Sequence, residues 1–147
     1  MRLWHQSLIH YLPNKQLLGQ HRECCALRGK GWGKKHSVVN YVFKYDFAYL
    51  YEYHLLVMAE MTKRGYVVTP NWYDRTYRGQ YMPNALLNDV GYYVYHGMPY
   101  ACAPLIYLEH DDNYLRECLL NLKSKHAELT NGKTIEQMLV ELDLKVA

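Results

Sequence analysis

The apolar positions of this chain recur mainly at the spacing of an α-helix. The clearest stretch follows Asp46 and stops at Gly65, and its apolar or aromatic positions repeat at intervals of 3, 4 and 7: Phe47, Leu50, Tyr51, His54, Leu55, Met58 and Met61. An earlier stretch predicts a helix that is capped by Asn14 and runs to about Arg28. A weaker pattern predicts a short helix over residues 85–95.

The last part of the chain has the pattern of a helical hairpin. Asp111 or Asp112 is suited to cap a helix whose apolar stripe is Leu115, Cys118, Leu119 and Leu122. The Asn131-Gly132 pair breaks the chain, and Thr134 with Gln137 forms a capping box that opens a final helix. We therefore predict a mostly α protein. Residues 1–97 form a compact helical domain, and an aromatic segment with the hairpin, residues 98–147, packs on the same domain.

Charge changes this picture because it is unevenly distributed. The 147 residues carry a net charge of +3. Residues 1–80 contain twelve Lys and Arg against five Asp and Glu, whereas residues 81–147 contain five against nine. A basic half favours a polyanionic partner, since Lys and Arg contacts to phosphate supply most non-specific nucleic-acid affinity. An ordinary solvated surface explains the charge equally well.

The cysteines and histidines indicate the cellular compartment and whether the chain carries a metal site. Four cysteines, Cys24, Cys25, Cys102 and Cys118, lack CxxC spacing, so we expect reduced, buried thiols and a cytoplasmic protein. Residues 90–108 carry no Lys, Arg, Asp or Glu, but their prolines, glycines and histidine argue against a membrane span. The eight histidines show no metal-ligand spacing, and we predict no metal and no cofactor.

The start of the chain offers an unusual nucleophile. An α-amine has an unperturbed pKa of roughly 7.7–8.0, against about 10.4 for lysine, so much of it is neutral and reactive near pH 7. Arg2 is bulky, and we expect it to prevent removal of Met1. Arg22 and Glu23 lie inside an apolar helical pattern, where a carboxylate needs a partner. A plain ion pair and a catalytic carboxylate both satisfy this need.

A glycine-spaced basic loop follows the first helix. Residues 29–36 contain three glycines together with Lys30, Trp32, Lys34, Lys35 and His36. Glycine allows close backbone approach to a ligand, lysine neutralises phosphate, and Trp or His can stack or wedge. No Gly-Lys-Ser/Thr closes the loop as in a P-loop. A flexible solvated loop is the alternative.

Several short motifs in order resemble the pyrimidine-dimer DNA glycosylase family of the endonuclease V type. They are the Arg at position 2, the leucine-rich helix ending in His21-Arg22-Glu23, Lys35-His36, Ala59-Glu60 with Lys63-Arg64-Gly65-Tyr66, and Tyr77-Arg78-Gly79-Gln80-Tyr81-Met82-Pro83. The resemblance departs in four respects. Met1 replaces a small hydroxyl residue, His21 replaces an aromatic residue just before Arg22, Gln80 replaces an acid, and the C-terminal segment is rebuilt with an added acidic helical hairpin.

The resemblance implies a DNA-repair N-glycosylase with AP-lyase activity on double-stranded DNA, with pyrimidine dimers as the default substrate among damaged, modified or abasic nucleotides. In this interpretation the α-amine of Met1 forms a Schiff base with the sugar C1′, Glu23 moves protons, and neither metal nor cofactor is needed. The expected DNA-binding residues are Arg2, His21, Arg22, Arg28, Lys34, Lys35, His36 and Arg78. A non-catalytic nucleic-acid-binding module of the same fold and a partner-binding helical protein are the alternatives. A monomer is favoured.

Overall fold

A computed structural model describes residues 2–34, 38–86 and 105–146 of the chain. Within these ranges all regular secondary structure is helical, without a strand, which confirms the predicted mostly α class. The α-helices in the described ranges are α1 (Asn14–Arg28), α2 (Phe47–Lys63), α3 (Asp112–Ser124) and α4 (Ile135–Val146). Three short 3₁₀ helices accompany them: η1 (Gln6–Tyr11), η2 (Asn40–Lys44) and η3 (Pro70–Tyr73).

Most helix ends lie where the capping residues predict them. The Asp46 carboxylate accepts a hydrogen bond from the Ala48 N–H at 2.9 Å, and Gly65 follows α2 with a φ of +93°. Asp111 caps α3 by accepting from the Tyr114 N–H. The predicted capping box of α4 is present, with Thr134 N–H donating to Gln137 and Gln137 N–H donating to Thr134.

The start of α1 corrects one prediction. Pro13 is the N-cap residue, and Asn14, which was predicted to cap the helix, is its first residue. The Asn14 side chain is used elsewhere, because its Oδ1 accepts a hydrogen bond from Arg64 Nη1 at 3.0 Å. Proline tolerates this place since the first N–H groups of a helix have no intrahelical acceptor. The predicted end at Arg28 is confirmed.

The N-terminal arm is part of the hydrophobic core. Its first half has no regular secondary structure, its second half forms η1, and Leu3, Leu8, Ile9 and Leu12 are all 0% exposed. Full burial of such a side chain stabilises a fold by about 1.5–3 kcal/mol. The arm lies against α1 and α2, and this packing fixes where the chain begins relative to both helices.

The predicted C-terminal hairpin is present and packs on the rest of the protein. Helices α3 and α4 contact each other, and α3 buries Cys118, Leu119 and Leu122. The turn between the helices is tied to the arm, because the Thr130 N–H donates to the Tyr11 carbonyl at 2.9 Å. Residues 85 and 86 are not helical, and the rest of the helix predicted over residues 85–95 lies outside the described residues, as does the boundary between residues 97 and 98.

Two further expectations concern thiols and membranes. Cys24, Cys25 and Cys118 are free thiols; the first and the last are buried as predicted, whereas Cys25 is only half-buried. Cys102 lies outside the described residues. Across the described ranges, each helix is too short or too polar to cross a bilayer.

Candidate active site at the chain start

Helix α1 presents Glu23 to the beginning of the chain. The Glu23 Oε2 atom accepts a hydrogen bond from the backbone N–H of Arg2 at 2.8 Å. Hydrogen bonds from an N–H to a carboxylate are short and roughly twice as strong as neutral ones. Among the described residues Glu23 forms no ion pair with a lysine or arginine side chain. The partner that this carboxylate needs is therefore backbone at the chain start, where arginine side chains were the expectation.

The Gln20 side chain, one turn before Glu23, clamps the same segment from inside the core. Its Oε1 accepts the Trp4 N–H at 2.6 Å, and its Nε2 donates to the Arg2 carbonyl at 2.9 Å. The Tyr53 hydroxyl on α2 lies 2.6 Å from the Trp4 carbonyl and 2.9 Å from Gln20 Oε1. Gln20 is 1% exposed and Tyr53 is 0% exposed. The arm is thus held by buried polar groups of two helices.

The two arginines nearest this segment differ in accessibility. Arg22 is exposed, and its Nη2 lies along α1 over Gly19, since a Cβ built at Gly19 would be 3.9 Å from it. The Arg2 guanidinium instead packs between the rings of Trp4 and Tyr114, with Cζ 5.9 Å and 5.7 Å from their centroids. Only 16% of the Arg2 side chain is exposed. Arg22 therefore presents a free cationic surface and Arg2 does not.

Arg28 requires a correction, because the structure gives it a different environment from a DNA-binding residue. Its side chain is 0% exposed. Its guanidinium donates to the carbonyls of Trp72, Asp74 and Tyr77 at 2.7–2.9 Å and packs over the Tyr51 ring. This arginine holds the loop after α2 against the end of α1 and is not available to phosphate.

Arg28 also begins a series of hydrogen bonds that runs through two histidines, His54 and His21. Its Nη1 lies 3.0 Å from His54 Nδ1, and His54 Nε2 lies 2.8 Å from His21 Nδ1. An arginine can only donate, so His54 Nδ1 must accept and the proton of the neutral ring sits on Nε2. Burial, followed by the charge of Arg28, lowers the pKa of His54 well below its usual value. His54 therefore donates to His21, and the proton of a neutral His21 ring lies on Nε2.

The same cluster has to be considered as a metal site. His21, Cys25 and His54 place one ligand atom each within 4.8 Å of one another. A metal ligand needs a free lone pair. His54 Nε2 carries a proton, however, and the lone pair of His21 Nδ1 accepts the hydrogen bond from it. Burial raises the pKa of the Cys25 thiol to about 11, which opposes the thiolate form that metals bind. These residues fit a hydrogen-bonded chain better than a metal centre.

The basic loop is described up to Lys34, and Lys35 and His36 lie outside the described residues, as Met1 does. Lys30 and Lys34 are exposed. Trp32 packs edge-on against Phe43 and Phe47 at 5.0 Å and 5.2 Å, so its partly buried ring contributes to the core.

Arg78 lies at the end of α1. Its Nε donates to the Arg28 carbonyl and its Nη2 to the Gly29 carbonyl, at 2.8 Å and 3.0 Å. Cationic side chains favour this position because the last carbonyls of a helix lack intrahelical partners. Arg78, which the sequence predicts to bind DNA, is thus hydrogen-bonded to backbone carbonyls.

Three residues at the site were missed by sequence reasoning. Gln20, Tyr53 and Tyr114 all bond to backbone of the arm, and the Tyr114 hydroxyl donates to the Leu3 carbonyl. A glutamine on an apolar helix face is a signal for a buried hydrogen-bonded group. The tyrosines carry no such signal among the sixteen in the chain.

Comparisons with known proteins agree with the motifs at the chain start. The model of the family described as pyrimidine dimer DNA glycosylase matches residues 1–74, which include the arm, α1 and α2. No curated protein and no solved structure matches the chain. The matched region covers half of the chain and carries both Glu23 and the backbone that it binds. The chain belongs to the pyrimidine dimer DNA glycosylase family.

Proposed function

We propose that this protein is a DNA N-glycosylase with AP-lyase activity that uses the α-amine of Met1 as its nucleophile and Glu23 as its proton-transfer group. One observation carries the proposal: the Glu23 carboxylate accepts the Arg2 N–H at 2.8 Å. Three covalent bonds separate that nitrogen from the α-amine of the preceding residue. A carboxylate beside a nucleophilic amine is the pairing that imine chemistry on a sugar needs.

The reaction follows from these two groups. The amine lone pair attacks C1′, the bond between C1′ and the base breaks, and the base leaves with that electron pair and a proton. One amine proton then passes to O4′ as the C1′–O4′ bond breaks, O4′ becomes a hydroxyl, and the nitrogen lone pair completes a protonated imine. Removal of a C2′ proton then breaks the C3′–O3′ bond and cuts the strand, and water releases the protein from the sugar. Glu23 would relay the protons in these steps.

DNA contacts are assigned to the accessible cations. Arg22, Lys30 and Lys34 are exposed and suited to phosphates. His21 is half-exposed and its Nε2–H lies 3.7 Å from Cys25 Sγ, so it stays in the set as a weaker, neutral donor. Lys35 and His36 remain in this set from the sequence alone. The name of the family makes DNA with pyrimidine dimers the first substrate to test. The free energy needed to kink DNA or to flip a nucleotide is smallest at a damaged base pair, which favours binding to lesions over intact DNA.

The test is borohydride trapping of the untagged protein on a duplex with one abasic site. Mass spectrometry first establishes that the chain starts at Met1. We expect a covalent protein–DNA adduct that disappears when the α-amine is acetylated, while DNA affinity measured by fluorescence anisotropy stays within about twofold. Acetylation removes the lone pair that attacks C1′ and leaves the phosphate-binding cations unchanged.

Two results would contradict the proposal in different ways. Binding that weakens with salt but gives no adduct would favour the non-catalytic nucleic-acid-binding module. An adduct that survives acetylation would assign the imine to a lysine. The same duplex series carrying a pyrimidine dimer in place of the abasic site reports the glycosylase step separately.

A further inference from the structure

Helix α3, the first helix of the C-terminal hairpin, lies outside the matched residues 1–74, yet it contacts the first residues of the chain. The Tyr114 hydroxyl donates to the Leu3 carbonyl. Arg2 Nη2 pairs with Glu117 Oε1 at 3.4 Å, and its Nη1 lies 3.9 Å from Cys118 Sγ. One face of α3 therefore covers the side of the arm that α1 and α2 leave open.

Helix α3 is itself fixed in place, because the residue before its cap is anchored in the core. His110 is 0% exposed. Its Nδ1 accepts the Gln6 N–H at 3.1 Å, and its Nε2 lies 2.7 Å from the Tyr41 hydroxyl. Burial lowers the pKa of His110 to about 3, so the ring keeps this neutral arrangement throughout the pH range of ordinary assays. The contacts of α3 with the arm thus come from a stable platform.

We propose that α3 is a positioning element of the active site, with Tyr114 and Glu117 holding Arg2 and Leu3 so that the attached α-amine faces Glu23. This inference rests on the proposed function. Chain ends fray unless they are tied down, and a nucleophile held in the attacking orientation reacts far faster than a mobile one. Arg2 acts here as an anchor, since its guanidinium lies between two aromatic rings and beside α3.

The test compares two tyrosine-to-phenylalanine variants of the untagged full chain. Tyr114→Phe removes the hydroxyl bond to the Leu3 carbonyl. Tyr45→Phe is the matched control, because the Tyr45 hydroxyl also ties the C-terminal segment to the rest of the protein, through Glu109 Oε1 at 2.7 Å, without contacting the arm. The first readout is hydrogen exchange of the Arg2 amide, which needs no DNA. The second is the single-turnover rate of borohydride trapping on saturated abasic-site duplex, with affinity measured separately.

We expect Tyr114→Phe to speed exchange of the Arg2 amide and to slow trapping, each by about fivefold, the size set by one lost hydrogen bond. DNA affinity should stay within about twofold, and Tyr45→Phe should change neither readout. Glu117→Gln should act in the same direction with a smaller effect, since the pair is partly exposed.

Three outcomes would count against the inference or its basis. Equal behaviour of Tyr114→Phe and Tyr45→Phe in both readouts overturns the positioning role. Weaker DNA binding with unchanged trapping at saturation overturns it too, because α3 would then contact DNA. Failure of the wild type to form any adduct overturns the proposed function instead, and exchange of the Arg2 amide still decides whether α3 positions the arm.

Discussion

The clamp formed by Gln20 gives the sharpest stability prediction. Gln20→Leu replaces the amide by an apolar group of similar size and leaves two backbone groups without their side-chain partner, the Trp4 N–H and the Arg2 carbonyl. Because Gln20 is 1% exposed, water cannot freely replace it. Each buried group left without a partner costs about 1–3 kcal/mol, so the expected loss in the free energy of unfolding is about 2–6 kcal/mol.

This loss is large beside the total stability of a domain, which is about 5–15 kcal/mol. For a chain of this size, each kcal/mol lowers Tm by roughly 2–4 °C, so Gln20→Leu should lower it by roughly 4–24 °C. Urea denaturation followed by tryptophan fluorescence measures the free energy directly. Gln16→Leu is the control: it makes the same change one turn earlier on α1, at a half-exposed side chain.

Gln20→Glu separates the two halves of the clamp. The introduced carboxyl keeps an acceptor for the Trp4 N–H but, when ionised, faces the Arg2 carbonyl without a donor. Burial and this carbonyl should raise its pKa in the folded state above the unfolded value of about 4.3. The variant is then most stable below that value, where the carboxyl is protonated, and loses stability as pH rises through the folded pKa.

Two results would refute this reasoning. One is a Gln20→Leu variant whose free energy of unfolding lies within about 0.5 kcal/mol of the Gln16→Leu control, the range of an ordinary surface change. The other is a Gln20→Glu variant whose stability relative to the wild type does not depend on pH. Either result would mean that the arm is held by apolar burial alone and that its backbone hydrogen bonds contribute nothing specific.

Further predictions concern the site and its titrating groups. Glu23→Gln should keep DNA affinity and slow borohydride trapping by about 10²–10⁴-fold, and an unchanged rate would remove Glu23 from the mechanism. Lys34→Ala should lower the slope of log affinity against log salt by about 1, whereas Lys145→Ala on α4 should not. His54 has a lowered pKa, so the wild type should lose stability as pH falls below about 6.5, and His54→Gln should flatten that loss in urea titrations. Burial raises the pKa of Glu52 to about 7, so its folded form keeps a proton that the unfolded chain loses near 4.3. Stability should therefore fall as pH rises through 7, and Glu52→Gln should gain stability over the wild type at pH 8 but not at pH 4.

Local sequence signals predicted the parts of the fold that are determined locally. The cap at Asp46 and the capping box at Thr134 act within three residues, and the structure has both. The burial of Arg28 has no such signal. A cation in the last turn of a helix is usually solvated, but the carbonyls that Arg28 binds come from a loop 44–49 residues later. Such partners depend on tertiary packing, which spacing along the chain does not encode.

The sequence predicted that Glu23 belongs to the candidate site, but it did not predict which groups Glu23 contacts. An acid within an apolar helical face indicated that Glu23 needs a partner, and arginine side chains were the natural candidates. The partner is instead the Arg2 N–H, 21 residues away. The N-terminal arm has no periodic pattern over its first residues, since a segment without regular secondary structure can be apolar at any position when other elements surround it. Its burial therefore appears only once α1, α2 and α3 are assembled around it.

The arrangement of these partners bears on why an α-amine would serve as a nucleophile here. Five backbone groups of Arg2, Leu3 and Trp4 are hydrogen-bonded by side chains from three helices: Glu23 and Gln20 of α1, Tyr53 of α2 and Tyr114 of α3. Ordering this segment costs conformational entropy, and its buried backbone groups need partners, so these hydrogen bonds contribute to stability in their own right. Apolar burial of Leu3 and Trp4 has no directional preference, whereas the hydrogen bonds also fix the orientation of the backbone at Arg2. In the proposed mechanism that orientation matters, because the terminal amine must meet a sugar carbon beside Glu23.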